Sequence, residues 1–429
     1  MQLNFNSFHN SKLLRRISII EKYFIVIIVL LLIFSIFVGI PTDSIDIGIS
    51  SPKLNIGDRA FYINESVKGF GYDNDSGISS QIFSGNILYP YILKFISFVS
   101  GLFNQDEYSK LWNFLCIFIT SSLSVINLHL LRESSINLFK KNVAEIACLI
   151  FVCNPYTYFY SLSGGITNYM LFGVTFILWI FTRSIKSGQK ITETKNIKNI
   201  FFISLGTIYL SFLRPSGCIF SLMVLIFLGY KSIRELILKN KFNQLGFLKI
   251  VFLTISLIIV IYNFNYSLKY SIIGIKTFSN EGGFFFGYSR DLLRSKLNFD
   301  NSSFLNNFKN YIYFISWKIT DFVSGMSDIR DTHNATSFES LLPFILRTFT
   351  GIFILFPVNL FSFFGIITNF KIILKNDIWI IIFSSLLAIS PSLVGIAASR
   401  YLIMFYTPFI VFAAKVLNDI FQNMEVYKN

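Results

Sequence analysis

Long apolar stretches recur from one end of the chain to the other, separated by shorter polar segments. Most of them run for about 17–25 residues, which is the length that a helix needs to cross the roughly 30 Å hydrocarbon core of a bilayer. The sequence therefore predicts an all-α polytopic membrane protein with about ten transmembrane helices. The predicted spans are 23–40, 111–131, 142–159, 165–182, 200–213, 216–230, 248–266, 342–368, 377–397 and 401–416.

The composition agrees with a chain that folds in lipid. Hydrophobic residues make up 53% of the 429 residues and charged residues only 14%, which excludes an ordinary soluble enzyme. The net charge of +14 does not indicate a nucleic-acid partner, because Lys and Arg of membrane proteins collect in cytoplasmic loops. We therefore expect membrane lipids as partners and no nucleic acid.

The basic loops predict the orientation of the spans. Several Lys and Arg residues precede the first span, which places the N-terminus in the cytoplasm. Segment 85–104 is apolar, but a crossing there would move the basic loops at 132–141, 183–198 and 231–249 outside. We therefore predict that 85–104 is an interfacial or re-entrant helix, which also suits its Pro90 and Lys94. Both termini are then cytoplasmic.

This topology divides the chain into alternating membrane and external parts. Two large external loops hold most of the acidic residues, so polar chemistry is expected outside. The predicted parts are the cytoplasmic N-terminus 1–22, the first transmembrane helix 23–40, a first external loop 41–107 with interfacial helices, a bundle 108–266, a second external loop 267–341, C-terminal helices 342–416 and a cytoplasmic tail 417–429.

Sequence motifs exclude several functions. The chain has no G-x-x-x-x-G-K-[ST] phosphate loop, no H-E-x-x-H and no G-x-S-x-G, so ATP-driven transport and zinc proteolysis are disfavoured. The span centres hold almost no acid or base, unlike those of many secondary transporters. Polar residues concentrated at the outer face suit an enzyme whose substrate has a polar head group and a lipid tail.

Two motifs of the first external loop resemble a known family. Asp58 is followed four residues later by Tyr62, and Leu88-Tyr89-Pro90 comes about 25 residues after that. This order resembles the opening of the polytopic GT-C glycosyltransferases, such as the dolichyl- or polyprenyl-phosphate-sugar-dependent mannosyl- and aminoarabinosyltransferases. The resemblance implies a catalytic Asp in the loop that follows the first span, with interfacial helices around the Leu-Tyr-Pro segment.

Other matches to this family follow in order along the chain, and one position departs from it. Many relatives carry a second acid in the turn before the fourth span, where this chain offers only Asn168, so a two-acid site would recruit Asp73 or Asp75. The matching segments are Asn154-Pro155 with Ser161-Leu162-Ser163, Arg214-Pro215-Ser216-Gly217, and Ser399-Arg400-Tyr401 with Pro408.

If the chain transfers a sugar from a lipid phosphate, the candidate residues have distinct expected roles. A carboxylate must take the proton of the attacking hydroxyl, for which we choose Asp58; the alternative is a helix N-cap. Cations must stabilise the leaving phosphate, which suits Arg214 and Arg400; the alternative is that both are snorkelling anchors. Tyr62 and Tyr401 would hydrogen-bond sugar or phosphate, or belong to the interfacial aromatic belt. No protein-bound cofactor is predicted with certainty, and a divalent metal remains open.

Three functions stay open at this point. The leading one is a bacterial inner-membrane glycosyltransferase that moves a sugar from a polyprenyl-phosphate donor to a periplasmic glycan or lipid acceptor during surface-polysaccharide assembly. The second is an O-antigen or capsule repeat-unit polymerase, favoured by the long loop 267–341 and by a low-GC composition with 51 Phe. The third is a polysaccharide flippase or another transporter, which gives no reason for acids in the first loop.

Overall fold

The chain forms a bundle of long helices in its computed structural model. The structure describes residues 18–37, 40–42, 45–47, 88–105, 109–188, 191, 196–239, 244–280, 349, 351–394 and 402–426. Within these ranges the chain is helical except for turns and one hairpin of two short antiparallel strands, in which Ile40 pairs with Ile47. The hairpin follows the first helix directly, and the apolar pattern gave no sign of it.

The helices and strands follow one another in a simple order. In the first part of the chain they are α1 (Ile19–Phe37), β1 (Ile40–Thr42), β2 (Ile45–Ile47), α2 (Leu88–Gly101), α3 (Lys110–Leu138), α4 (Lys141–Cys153) and α5 (Pro155–Leu162). In the second part they are α6 (Thr167–Lys186), α7 (Ile197–Leu213), α8 (Pro215–Lys239), α9 (Gln244–Asn280), a π-helical turn (Gly351–Leu355) that leads into α10 (Phe356–Thr368), α11 (Phe370–Lys375), α12 (Trp379–Val394) and α13 (Thr407–Val426).

Six stretches of helix are long and apolar enough to cross a membrane, which confirms a polytopic helical membrane protein. They are α1, α3, α6, Pro215–Ile237 of α8, Gln244–Tyr266 of α9 and Gly351–Thr368. Each of the ten predicted spans overlaps a described helix, but α7 and Trp379–Ser390 are shorter apolar helices. The number of crossings therefore stays a prediction.

The predicted span 142–159 is in fact two helices. Helices α4 and α5 meet at a bend of 62°. Pro155 lacks the N–H that would continue the hydrogen bonding of α4, and the Asn154 side chain accepts a hydrogen bond from Tyr156 N, which starts α5 afresh. A prediction from apolar length alone misses this bend, because the two helices belong to one apolar stretch of the sequence.

Helix α2 lies in segment 85–104, which sequence analysis predicts not to cross the membrane. Its 14 residues extend for about 21 Å, which is less than the hydrocarbon thickness. It packs on α3, where Trp112 Nε1 donates to Ser97 Oγ at 2.9 Å, and it buries Leu93 and Ile96. Its position at the membrane interface stays a prediction.

Charged side chains are gathered at the far end of α3, away from α2. Glu21 of α1 is buried and lies 2.8 Å from His129 Nδ1 and 3.8 Å from Arg132 Nε. Glu145 of α4 lies 3.6 Å from the same Arg132 nitrogen. Sequence analysis places Arg132 and Lys249 in cytoplasmic loops. In the structure they belong to α3 and α9 and are 8% and 1% exposed. The orientation of the chain in the membrane therefore stays a prediction.

Helices α7 and α8 approach each other so closely that only glycine fits between them. A Cβ atom built on Gly217 would lie 2.1 Å from the Leu210 carbonyl oxygen, whereas one built on Gly229, further along the same helix, would meet nothing within 4 Å. The close approach tightens the turn at Arg214, which joins the two helices.

We expect Gly217→Ala to destabilise the protein by about 1–3 kcal/mol, because the methyl group would have to push two backbones apart. Gly229→Ala is the matched control and should keep or raise the stability, since Ala is the better helix former. Thermal unfolding of both variants in detergent measures the difference. Equal melting temperatures would contradict the close approach.

Candidate functional site

Arg214 is the predicted site residue that lies within the described part of the chain. The predicted residues of the first external loop and of the segment before the last helix lie outside it, and their roles stay predictions. These residues are Asp58, Tyr62, Asp73, Asp75, Arg400 and Tyr401.

The chain reverses direction at Arg214. Its backbone is extended, with φ −162° and ψ 153°, between the last residue of α7 and the first of α8. Its carbonyl oxygen accepts a hydrogen bond from Cys218 N at 3.1 Å, and the Cys218 thiol donates to the Ser211 carbonyl oxygen at 3.1 Å. These two bonds close the turn between α7 and α8.

The guanidinium group of Arg214 is buried. Arg214 is 8% exposed, and its Nη1 donates a long hydrogen bond of 3.8 Å to Met404 Sδ. Met404 belongs to the turn before α13, which follows Arg400 and Tyr401 in sequence. Two residues later lies Tyr406, which is 2% exposed and whose hydroxyl has no hydrogen-bond partner within the described part of the chain. Sequence analysis missed Tyr406, because nothing distinguishes it from other aromatic residues of a span.

The start of α8 adds positive potential beside Arg214. Pro215 is its first residue, a position where the missing N–H costs no hydrogen bond. The first turn of a helix presents free N–H groups and the positive end of the helix dipole, which together favour an anion. Ser216 Oγ is buried there and has no partner among the described residues. This turn can therefore hold a phosphate or carboxylate oxygen.

Helix α2 lies at the same end of the bundle as Arg214. Tyr89, from the Leu-Tyr-Pro motif, donates its hydroxyl to the Gly164 carbonyl oxygen at 2.6 Å. Its ring lies edge-on to that of Tyr169, 5.6 Å away. Tyr209, five residues before Arg214, donates to the Tyr169 carbonyl oxygen at 3.2 Å. The structure therefore brings together the Leu-Tyr-Pro motif, the turn before α6 and the Arg-Pro turn.

Asn168 stands where the resemblance implies a second acid, and its side chain makes buried hydrogen bonds between α6 and α3. It is 2% exposed, and its Nδ2 donates to the Thr120 carbonyl oxygen at 3.1 Å and to Ser124 Oγ at 2.7 Å. Ser161 Oγ donates to the same Ser124 oxygen at 2.6 Å. The four-residue spacing of Thr120 and Ser124 places both on one face of α3, which was the available signal for this polar contact.

Metal ligands are not gathered in the part of the chain that the structure describes. No group of three or more His, Cys, Asp or Glu side chains lies close enough to hold an ion in that part. A divalent metal therefore stays an open prediction for the acidic loops, which lie outside the described residues.

We expect Asn168→Asp to destabilise the protein by at least 1–3 kcal/mol, on the order of the cost of a buried group that loses its partner. The carboxylate would face the Thr120 carbonyl oxygen, to which the amide now donates. Asn423→Asp, at an exposed position near the end of α13, is the control and should leave the melting temperature in detergent unchanged. A stable Asn168→Asp protein would show that the two hydrogen bonds of the Asn168 amide are not needed for stability.

Comparison with known proteins adds a distant likeness in structure. No protein-family model matches the chain, and no curated protein matches it either. Among solved structures, the chain is similar to the archaeal oligosaccharyltransferase AglB from Archaeoglobus fulgidus, in complex with an inhibitory peptide and a dolichol-phosphate. The TM-score is 0.46 and the identity 12%, over 96% of this chain and 52% of that one. The chain thus spans about half the length of that protein, and the likeness is too distant to assign a function.

Proposed function

We propose that this protein is an integral-membrane glycosyltransferase of the GT-C type. It moves a sugar from a polyprenyl-phosphate carrier to a glycan or lipid acceptor on the external face of a bacterial inner membrane. The product serves surface-polysaccharide assembly. The membrane supplies the lipid-linked donor, and the external loops receive the acceptor.

The buried guanidinium of Arg214 is the observation that carries this proposal. A buried charge inside a membrane bundle is expensive, and proteins retain one chiefly where it binds or moves a charged group. Arg214 stands at the positive end of α8 and beside the segment that precedes α13. A guanidinium group binds phosphate oxygens in a bidentate way, which a lysine does not reproduce. A lipid phosphate is the anion that reaches such a place from within the bilayer.

The proposed reaction is a direct displacement at the anomeric carbon. The acceptor hydroxyl gives its proton to Asp58 while its oxygen bonds to that carbon. The bond between the anomeric carbon and the phosphate oxygen breaks, and its electron pair stays on the polyprenyl phosphate. Arg214, with Arg400, stabilises this developing charge. Tyr62 and Tyr401 then bind the sugar or the phosphate, and Asp73 or Asp75 supplies a second carboxylate.

We expect Arg214→Ala to lower kcat/KM about 100- to 1000-fold, the typical cost of removing one preorganised donor of a transition-state oxyanion. Arg214→Lys should lose at least about tenfold, because one ammonium group cannot replace two parallel hydrogen bonds. Purified protein with a panel of polyprenyl-phosphate sugars and polyprenyl-diphosphate oligosaccharides measures these values.

Arg183→Ala is the matched control for these variants. Arg183 is exposed and lies over the Trp179 ring at the opposite end of α6, so its loss should leave transfer unchanged. Asp58→Asn tests the base and should abolish single-sugar transfer. Ladders made only from diphosphate-linked repeats, with Asp58→Asn as active as the wild type, would indicate a repeat-unit polymerase instead. No turnover with any donor would indicate a flippase or transporter.

A further inference from the structure

One face of α3 carries polar side chains inside the bundle. Thr120, Ser124 and Asn127 are buried there, at spacings of four and three residues that place helix side chains on a common face. The Thr120 hydroxyl donates to the Ser161 carbonyl oxygen. Ser124 Oγ is bonded to Asn168 Nδ2 and to Ser161 Oγ. The first two of these polar groups therefore join α3 to its neighbours.

The third group, the Asn127 amide, is different. Asn127 is 1% exposed, and both Nδ2 and Oδ1 are buried with no hydrogen-bond partner within the described part of the chain. Other buried amides in the same part are bonded, since Asn168, Asn263 and Asn369 each donate from Nδ2. A primary amide has two donors and an acceptor, and burying them without partners is unfavourable. The Asn127 amide therefore calls for a ligand.

The amide lies close to the polar contact between α3 and α6. Ser124 precedes Asn127 by three residues, so their Cβ atoms are about 5–6 Å apart on the helix surface. Ser124 faces Asn168 of α6, to which it is bonded. A small polar ligand beside Asn127 would thus have the amide on one side and the Ser124 hydroxyl one helical turn away.

The chemistry of the amide selects the kind of ligand. A cation would bond to Oδ1 and be repelled by the Nδ2 hydrogens, whereas an anion would accept from Nδ2 and be repelled by Oδ1. A lipid chain would satisfy neither atom. Water donates to Oδ1 and accepts from Nδ2, and buried waters in proteins make about two to four such hydrogen bonds. Water is therefore the ligand that matches both atoms.

We infer that Asn127 binds a buried water molecule in the interior of the bundle. The water continues the hydrogen-bonded contacts of Ser124 and Asn168 by a further turn along α3. Elsewhere the core is closed to water: Leu210 packs so tightly on Gly173 that a Cβ atom built there would lie 2.5 Å from Leu210 Cδ2. The inference is independent of the proposed function, because it uses no substrate and no catalytic residue.

Hydroxyl-radical labelling by X-rays, read out by mass spectrometry, tests this site in the full-length protein in detergent. Radicals form from water and oxidise the side chains beside it, including buried ones. Leu131 lies one turn beyond Asn127 and is 0% exposed, so we expect it to be labelled in the wild type. Leu210 is equally buried but lies in the tight contact with Gly173, and it should stay unlabelled. An unlabelled Leu131 would overturn the inference.

Asn127→Val and Asn127→Thr form a matched pair, because valine and threonine have nearly the same shape and differ in one hydroxyl. We expect the valine variant to lose the Leu131 label, since an apolar site stays dry. The threonine variant should keep it. Thermal unfolding in detergent checks that both variants are folded. Equal labelling of Leu131 in the two variants would overturn the role of Asn127.

A change of ions distinguishes water from a bound cation. Labelling of wild-type Leu131 should be the same when choline replaces Na⁺ and K⁺ in the buffer, because water needs neither ion. A label that depends on Na⁺ or K⁺ would overturn the inference in favour of a cation site.

Discussion

Where two helices meet at a break away from water, the free backbone N–H and C=O groups must form hydrogen bonds inside the protein. The contacts around α3 satisfy this requirement. Where α5 ends, the Ser161 carbonyl oxygen accepts from Thr120 Oγ1 at 2.7 Å and from Ser121 Oγ at 3.1 Å. Asn168, at the start of α6, donates back to α3. These bonds hold the break in one conformation, and the turn that receives Tyr89 depends on it. The arrangement of the site therefore depends on the hydrogen bonds that α3 makes with the end of α5 and the start of α6.

The apolar pattern predicts a large part of this fold because the bilayer fixes the length of a span. Segment 85–104 is predicted not to cross because of the basic loops and of Pro90 and Lys94. It contains the 14-residue helix α2, whose place relative to the membrane stays a prediction. Other features depend on contacts between distant residues, which no pattern along the chain reveals. The bend at Pro155 needs the cap from Asn154, and Arg132 is buried only because Glu21 and Glu145 lie beside it. Asn168 is the clearest case, since its amide donates to Thr120 and Ser124 of another helix.

Ion pairs between helices lie at one end of the bundle. At the far end of α3, carboxylates from α1, α3 and α4 lie around Arg132, and Lys231 of α8 pairs with Asp377 just before α12. At the α2 end, Arg214 is buried and its Nη1 donates to the Met404 thioether sulfur at 3.8 Å. The ion pairs of Arg132 and Lys231 therefore join helices at the end of the bundle away from the Arg214 turn.

The contact between Glu21 and His129 also constrains how the protein is made. The two residues are 108 positions apart in sequence, so α1 leaves the ribosome well before its partner on α3 exists. Until then the Glu21 carboxylate has to stay hydrated at the membrane surface, because lipid offers it no hydrogen bond. Only 22% of the apolar window of α1 is buried in the bundle, so contact with lipid alone would not fix the position of α1 against α3. The contact therefore requires that α3 has been inserted before α1 can take its final place.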